Sequence, residues 1–253
     1  MDNSRLAEFI ASFGSLNSYG STVAQTKKAL DSGDLRVLNK PSDMGIFKDA
    51  LSGIKAIQKA GFSVDGIINV NKSFNHSAEE DPDLPGHLRN TMYNTDDNIS
   101  VLVDQQGNDY YIPPEVVTKQ DLQLIVDQFN SSDQSKLDAL RVFADLSRLQ
   151  PFQDGNKRTA LIAANAALDT WKDEDYLLLP LNDLDRADFT INLMRYYKAQ
   201  DSNREKSLLK YMDSLLPSSN LGFSHNVDLS KTDIDKLKTT RVKPLFRKKG
   251  REI

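Results

Sequence analysis

Leu149-Gln150-Pro151-Phe152-Gln153-Asp154-Gly155-Asn156-Lys157-Arg158-Thr159-Ala160-Leu161 lies between two segments of helical apolar periodicity. It reads as a tight loop joining two buried helices, with small, acidic, amide and cationic residues crowded into one turn. The second helix is expected to start near Gly155 or Asn156, where backbone N–H groups have no partner within the helix. Those groups and the helix dipole favour a phosphate. Gly155 permits positive φ and a close approach of the backbone to a ligand, while Lys157 and Arg158 add charge beside the N–H groups. Asp154 alone would repel an anion, so its functional use is to hold a hard divalent cation that bridges carboxylate and phosphate oxygens. Spacing alone is equally met by an ordinary capped turn, with Asp154 as N-cap and both cations on a solvated face.

The run from Gln150 to Arg158 resembles the signature loop of the Fic/Doc family, which reads His-Pro-Phe-any-(Asp/Glu)-Gly-Asn-(Gly/Lys)-Arg. It matches at every constrained position but the first, and the similarity extends over a core of about residues 85–170. The resemblance implies a mainly α fold, a Fic-type helical core with one β-hairpin flap, that binds ATP with Mg²⁺. The Fic branch moves AMP onto a hydroxyl side chain of a target protein, whereas the Doc branch transfers the terminal phosphate. Carried over residue by residue, Asp154 binds magnesium, Gly155, Asn156 and Lys157 cradle phosphate, and Arg158 stabilises phosphate charge. Phe152 pins the loop into the core, and Pro151 stiffens its entry.

Two departures matter. Gln150 stands where the family has the histidine that takes the proton from the attacking hydroxyl. Imidazole titrates near working pH and a carboxamide does not, so Gln150 can only orient. Loss of general-base help typically costs about 10²–10⁴-fold in rate, so nucleotide binding is expected to survive while turnover falls. Leu161 stands where many Fic proteins carry a second arginine, which pairs with an inhibitory glutamate. The motif of that glutamate, (Ser/Thr)-x-x-x-Glu-(Gly/Asn), is met only in part, at Ser4 to Glu8 and at Thr170 to Glu174. Self-inhibition of that type is therefore not expected, although an antitoxin-like inhibitor in trans fits the resemblance. Lys157 together with Leu161 leans toward the Doc branch. Three readings follow: an impaired AMP transferase, a Doc-like protein kinase, and a catalytically silent protein that binds nucleotide or a partner.

Upstream of the loop, Ile99-Ser100-Val101-Leu102-Val103 and Asp109-Tyr110-Tyr111-Ile112 are short β-favouring runs around a turn containing Gly107 and Asn108, which predicts a hairpin. An isolated hairpin is marginal in water, so it must lie on the helical core. Its free edge offers a means of holding a protein substrate by strand addition. It resembles the Fic flap, and Gly86 to Arg89 resembles the Gly-x-x-Arg stretch that precedes it. A structural hairpin covering a core edge is the bland alternative.

Helices are expected near 5–10, 22–30, 42–60, 64–76, 118–129, 136–149, 156–171, 184–199 and 203–216. The segment after Arg158 is apolar all round, which marks the central, buried helix. His76, in a polar stretch without a second ligand pair, reads as a loop residue. Tyr196 and Tyr197 read as packing.

The 253 residues carry 39% hydrophobic and 27% charged residues and a formal charge of −4, ordinary for a globular protein, with nucleic acid not the obvious partner. The absence of cysteine excludes disulfides, thiolate metal sites and a cysteine nucleophile. No apolar run approaches the roughly 18 residues needed to span a bilayer, and the N-terminus lacks the regions of a secretory signal, which predicts a cytoplasmic protein without a membrane partner. Residues 1–217 are expected to form the Fic-like domain with its N-terminal helical extension. Residues 218–253 form a basic tail, in which Lys236, Lys238, Arg241, Lys243, Arg247, Lys248, Lys249 and Arg251 read as a solvated end rather than an RNA or acidic-partner site.

Overall fold

Local signals set most of the helix ends. Thr22 with Gln25, Thr118 with Asp121, and Ser135 with Asp138 each form a reciprocal capping box, satisfying two backbone donors that a helix start leaves open. Gly33, in the left-handed region at φ 69°, closes the second helix. The computed structural model describes residues 2–15, 19–77, 84–103 and 108–217. The basic tail, the segment 78–83 and the hairpin turn at 104–107 lie outside the described residues.

Nine α-helices occur among the described residues: α1 (Ser4–Ser15), α2 (Val23–Ser32), α3 (Pro41–Ala60), α4 (Val64–Lys72), α5 (Lys119–Asn130), α6 (Lys136–Leu149), α7 (Asn156–Ala167), α8 (Asp183–Tyr197) and α9 (Ser202–Ser214). The mainly helical architecture with one small sheet is the one expected. Helix α7 is buried along most of its length, from Asn156 to Asn165 with only Lys157 half-exposed. It packs against α6, α4, α3 and α1. Its alanines (Ala160, Ala163 and Ala164) present no bulk, so four neighbours crowd around it. The described residues belong to one compact unit that ends at Pro217. Among them no helix is long and apolar enough to cross a membrane.

Two helices are shorter than their apolar patterns. Helix α7 stops at Ala167 rather than near Trp171, because Asp169 adopts φ 52° and cannot continue a right-handed helix. Helix α4 stops at Lys72 rather than His76. The polar stretch after it is tied down, with Asp49 of α3 accepting hydrogen bonds from the N–H groups of Asn75 and His76.

The hairpin is also shorter than its sequence. Strands β1 (Val101–Leu102) and β2 (Tyr110–Tyr111) pair antiparallel, with Val101 opposite Tyr111 and Leu102 opposite Tyr110. One further bond, from the Val103 N–H to the Asp109 carbonyl at 2.9 Å, extends the pairing. Ile99 and Ser100 lie outside the ladder. The cause is a 3₁₀ turn at Thr95–Asp97, whose Asp97 side chain is pulled fully inside, so the chain has not straightened by residue 100. The hairpin rests on α8, where the rings of Tyr111 and Tyr197 are 5.3 Å apart and Lys198 pairs with Asp109. Tyr196 and Tyr197 are buried packing residues, as their helical spacing predicted.

Candidate active site

Helix α6 delivers the chain into the loop through Gln150, which caps it at φ 48°, ψ 60° with its N–H on the Leu146 carbonyl. That left-handed residue reverses the chain and drops Phe152 into the core, where it is 1% exposed. Asn156 holds the loop from inside. Its Oδ1 accepts the Phe152 N–H at 2.8 Å, and its Nδ2 donates to the Phe152 carbonyl at 2.7 Å and to Gln150 Oε1 at 3.0 Å. Gln150 donates through Nε2 to the Ser147 carbonyl at 2.6 Å and is 8% exposed. Both ends of its carboxamide therefore brace the loop. Tyr197 closes over the same region, with its buried hydroxyl beside Ser147 and Gln150. Burial raises its pKa far above the ordinary tyrosine value.

The loop is gripped from outside by residues that periodicity does not reveal. Arg89, 1% exposed, donates three side-chain hydrogen bonds to backbone carbonyls: Nε to Gln150 at 2.6 Å, Nη1 to Asp97 at 2.9 Å and Nη2 to Pro114 at 2.9 Å. Its own N–H bonds the Pro151 carbonyl at 3.0 Å. One arginine thus pins the signature loop to both ends of the hairpin segment. Burial lowers its pKa from the usual arginine value, opposed by the nearby Asp97 carboxylate, but it remains a cation. Asp97 accepts from His87 Nε2 at 2.9 Å, the Asn90 N–H at 2.6 Å and Gln153 Nε2 at 2.8 Å. Burial opposes its ionisation, yet these donors together hold its pKa below the usual aspartate value. Asn71 of α4 donates to the Asp154 carbonyl at 2.8 Å and accepts the Gly86 N–H at 2.8 Å. The Gly-x-x-Arg stretch was the sequence signal for this scaffold. Asp97 and Asn71 gave none.

The charged residues meet at the start of α7. Gly155 caps that helix at φ 76°, and among the described residues no side chain caps its open N–H groups. A Cβ at Gly155 would lie 2.8 Å from Phe74 and 3.0 Å from Asn71, so glycine is required for packing on α4 as well as for φ. Asp154 accepts the Gly155 N–H at 2.5 Å through Oδ1 and pairs with Arg158 Nη2 at 2.7 Å through Oδ2. Arg158 is 4% exposed, lies over the Phe74 ring and donates through Nη1 to Ser77 Oγ, while its buried Nε has no partner among the described residues. Lys157 points elsewhere, into a cleft of about 480 Å³ that runs beneath β1 to α8, bounded by Val101, Leu102, Arg186, Thr190, Ile191 and Met194. Its ammonium makes no ion pair or hydrogen bond among the described residues. Burial lowers its pKa, with Asp154 opposing and Arg158 adding to the effect.

Of the residues selected from sequence, Asp154, Gly155, Asn156, Lys157 and Arg158 form one turn, with Gln150 inside it and Val101, Leu102 and Val103 across the cleft from Lys157. Ile99 and Ser100 do not line that cleft. The outer surface of the hairpin is apolar, with Leu102, Tyr110 and Ile112 48%, 51% and 71% exposed. Leu161 is core, with no cation in its place. Among the described residues no three acidic or imidazole groups gather into a metal cage. Asp154, one-third exposed, suits a cation that brings phosphate oxygens with it, because magnesium is commonly held by one or two carboxylates plus substrate phosphates.

Residues 61–168 match the model of the Fic/DOC family. The fold is similar to that of a Fic family protein from Desulfovibrio desulfuricans G20, with TM-score 0.59 and 15% identity over 85% of this chain and 63% of that one. It is also similar to Fic-1 of C. elegans (residues 134–508), with TM-score 0.55 and 17% identity over 83% of this chain and 63% of that one. A Fic domain-containing signaling protein from Bacteroides thetaiotaomicron VPI-5482 gives TM-score 0.59 and 16% identity over 84% of both chains. The chain thus spans less than two thirds of the first two structures, and at these identities the likeness is one of fold. No curated protein matches the chain in sequence.

Proposed function

We propose that the Fic/DOC family domain at residues 61–168 works as a Fic-type transferase, moving AMP from ATP to a hydroxyl side chain of a target protein, at a rate held low by Gln150. The observation that carries this reading is the start of α7, where Asp154 pairs with Arg158 beside Gly155 and the adjoining Lys157 lines a 480 Å³ cleft between β1 and α8. The base and ribose fit between β1 and α8, against Leu102, Ile191 and Met194. The phosphates lie at the N–H groups of α7, where the helix dipole favours them. Arg158 Nε, buried without a partner, gains an acceptor there. Asp154 holds the Mg²⁺ that accompanies the nucleotide, which neutralises phosphate charge when bound.

The target segment adds along the free edge of the 99–112 hairpin by main-chain hydrogen bonds, its apolar side chains on Tyr110 and Ile112. Its hydroxyl oxygen bonds to the α-phosphorus, the bond from that phosphorus to the pyrophosphate oxygen breaks, and the hydroxyl proton leaves to water because a carboxamide cannot accept it. Arg158 and Lys157 stabilise the departing pyrophosphate. Doc-like transfer of the terminal phosphate is the second reading, favoured by Lys157 in the cleft and by the apolar Leu161.

Calorimetric titration with ATP and Mg²⁺ tests the site. Binding is expected, with Asp154→Ala and Arg158→Ala each weakening it. Absence of binding, or binding indifferent to both substitutions, would leave an interaction protein that keeps the fold without the nucleotide.

A further inference from the structure

We infer that Asp49 and Ser77 are positioning residues for Arg158, so that helix α3, which precedes the matched domain, sets the geometry of the phosphate clamp. The inference rests on the nucleotide reading above and goes beyond the signature loop. Gly45 and Asp49 stand one helical turn apart and therefore share a face of α3. A Cβ on Gly45 would lie 2.3 Å from the His76 carbonyl oxygen, so the absence of a side chain there lets the chain at 75–77 lie directly on the helix. One turn further on, the Asp49 carboxylate, with no exposed surface, accepts from the Asn75 N–H at 3.1 Å, the His76 N–H at 3.2 Å, His76 Nδ1 at 2.9 Å and Ser77 Oγ at 2.5 Å. Four donors around one buried carboxylate are what its desolvation requires.

Ser77 has its hydroxyl proton committed to Asp49, so it presents only lone pairs to its other neighbour. That neighbour is Arg158 Nη1, which also lies 3.9 Å from Asp49 Oδ2. The guanidinium is thus fixed by Ser77 at one nitrogen, by Asp154 at the other and by the Phe74 face 5.3 Å away. The two anchors differ in permanence. Asp154 must release Arg158 at least in part when its carboxylate turns to a metal-bound nucleotide, whereas Ser77 and Asp49 belong to neither ligand. They are what keeps the arginine in place once the Asp154 pair is broken. Without them a long, flexible side chain has to be ordered at the moment of binding, which lowers affinity by about three- to tenfold for one immobilised side chain.

The test compares the affinity of MgATP with that of adenosine, which has no phosphate to meet Arg158, in the wild type, Ser77→Ala, Ser77→Thr and Asp49→Asn. Ser77→Ala is expected to weaken MgATP about three- to tenfold while leaving adenosine affinity unchanged, with a lower melting temperature because the buried Asp49 loses a donor, and Ser77→Thr to restore both MgATP affinity and stability. Asp49→Asn turns an amide N–H against the donors and is expected to weaken MgATP further, with some loss of stability. An unchanged ratio of MgATP to adenosine affinity in Ser77→Ala, or tighter MgATP binding, overturns the positioning role while leaving the nucleotide site standing. A wild type that binds neither compound overturns the nucleotide reading and this inference with it.

Discussion

Replacing Gln150 with histidine places a group that titrates near neutral pH where, on the proposed function, the hydroxyl proton goes. The backbone there is left-handed, at φ 48° and ψ 60°, a region in which histidine is several-fold enriched over most residues. The bond from Gln150 Nε2 to the Ser147 carbonyl can be made instead by imidazole Nδ1–H, leaving Nε2 as the acceptor. What is lost is the bond from Asn156 Nδ2 to Gln150 Oε1, but that nitrogen keeps the Phe152 carbonyl at 2.7 Å. The loss is one neutral hydrogen bond, about 0.5–1.5 kcal/mol, so the loop is expected to keep its shape. General-base help is typically worth about 10²–10⁴-fold, or roughly 3–5 kcal/mol of barrier. Gln150→His is therefore expected to raise transfer at least about tenfold, a cautious fraction of that range. The assay incubates both proteins with cell lysate and ATP labelled at either the α- or the γ-phosphate. α-Label on protein identifies AMP transfer, and γ-label alone identifies phosphorylation. If the variant binds nucleotide and both labels stay at background, the enzyme reading fails.

Arg89→Lys keeps the charge and loses the planar fork that reaches three carbonyls. Unfolding in urea is expected to show a loss of about 2–4 kcal/mol, because buried acceptors are left unpaired; a change under 1 kcal/mol would contradict the bracing role. Lys157 gives the pH dependence. Burial lowers its pKa below the ordinary 10.5, because the charged form is held at a desolvation cost, and a bound phosphate favours the protonated form. MgATP affinity is thus expected to fall as pH rises through the lowered pKa of the free protein, starting below the usual lysine range. Lys157→Met is expected to remove that fall, and a pH profile the same in both proteins would show that Lys157 does not face the nucleotide.

How far the sequence could be read depended on whether a residue's partners were local. Helices α3, α6 and α7 follow from apolar spacing, because burial of one face imposes a 3.6-residue period that survives in the sequence. The loop turn followed from Gly155, whose φ of 76° few other residues would take. The hairpin was overextended because Ile99 and Ser100 favour strands, while the competing 3₁₀ turn depends on where Asp97 is drawn by His87 and Gln153. His76 lies in the loop that its polar stretch predicts, but its tie to Asp49 has no local signal, because that carboxylate is on α3, 27 residues away. Arg89 reaches a carbonyl 61 residues on; the Gly-x-x-Arg resemblance marks the stretch, but apolar periodicity carries no sign that its arginine is buried. Buried polar networks lack a period, so their members are found by asking which donors a folded loop would otherwise leave unpaired.

That distinction bears on what an amide at position 150 does to the loop. The loop is shaped by Asn156 from within, by Arg89 on the Gln150 carbonyl, and by Asn71 on the Asp154 carbonyl. Two of these contacts are to backbone atoms of the loop, and the third, Asn156 to Phe152, is also to backbone. None requires a particular side chain at position 150. The amide of Gln150 adds bonds to Ser147 and Asn156 but replaces no member of that scaffold. On the proposed function, a chain built this way keeps the turn at 154–156, the paired Asp154 and Arg158, and the cleft below the hairpin with an amide at position 150. If the proposed function holds, nucleotide binding and proton acceptance are separable here, and separate measurements of nucleotide affinity and of transfer assign each its own residues.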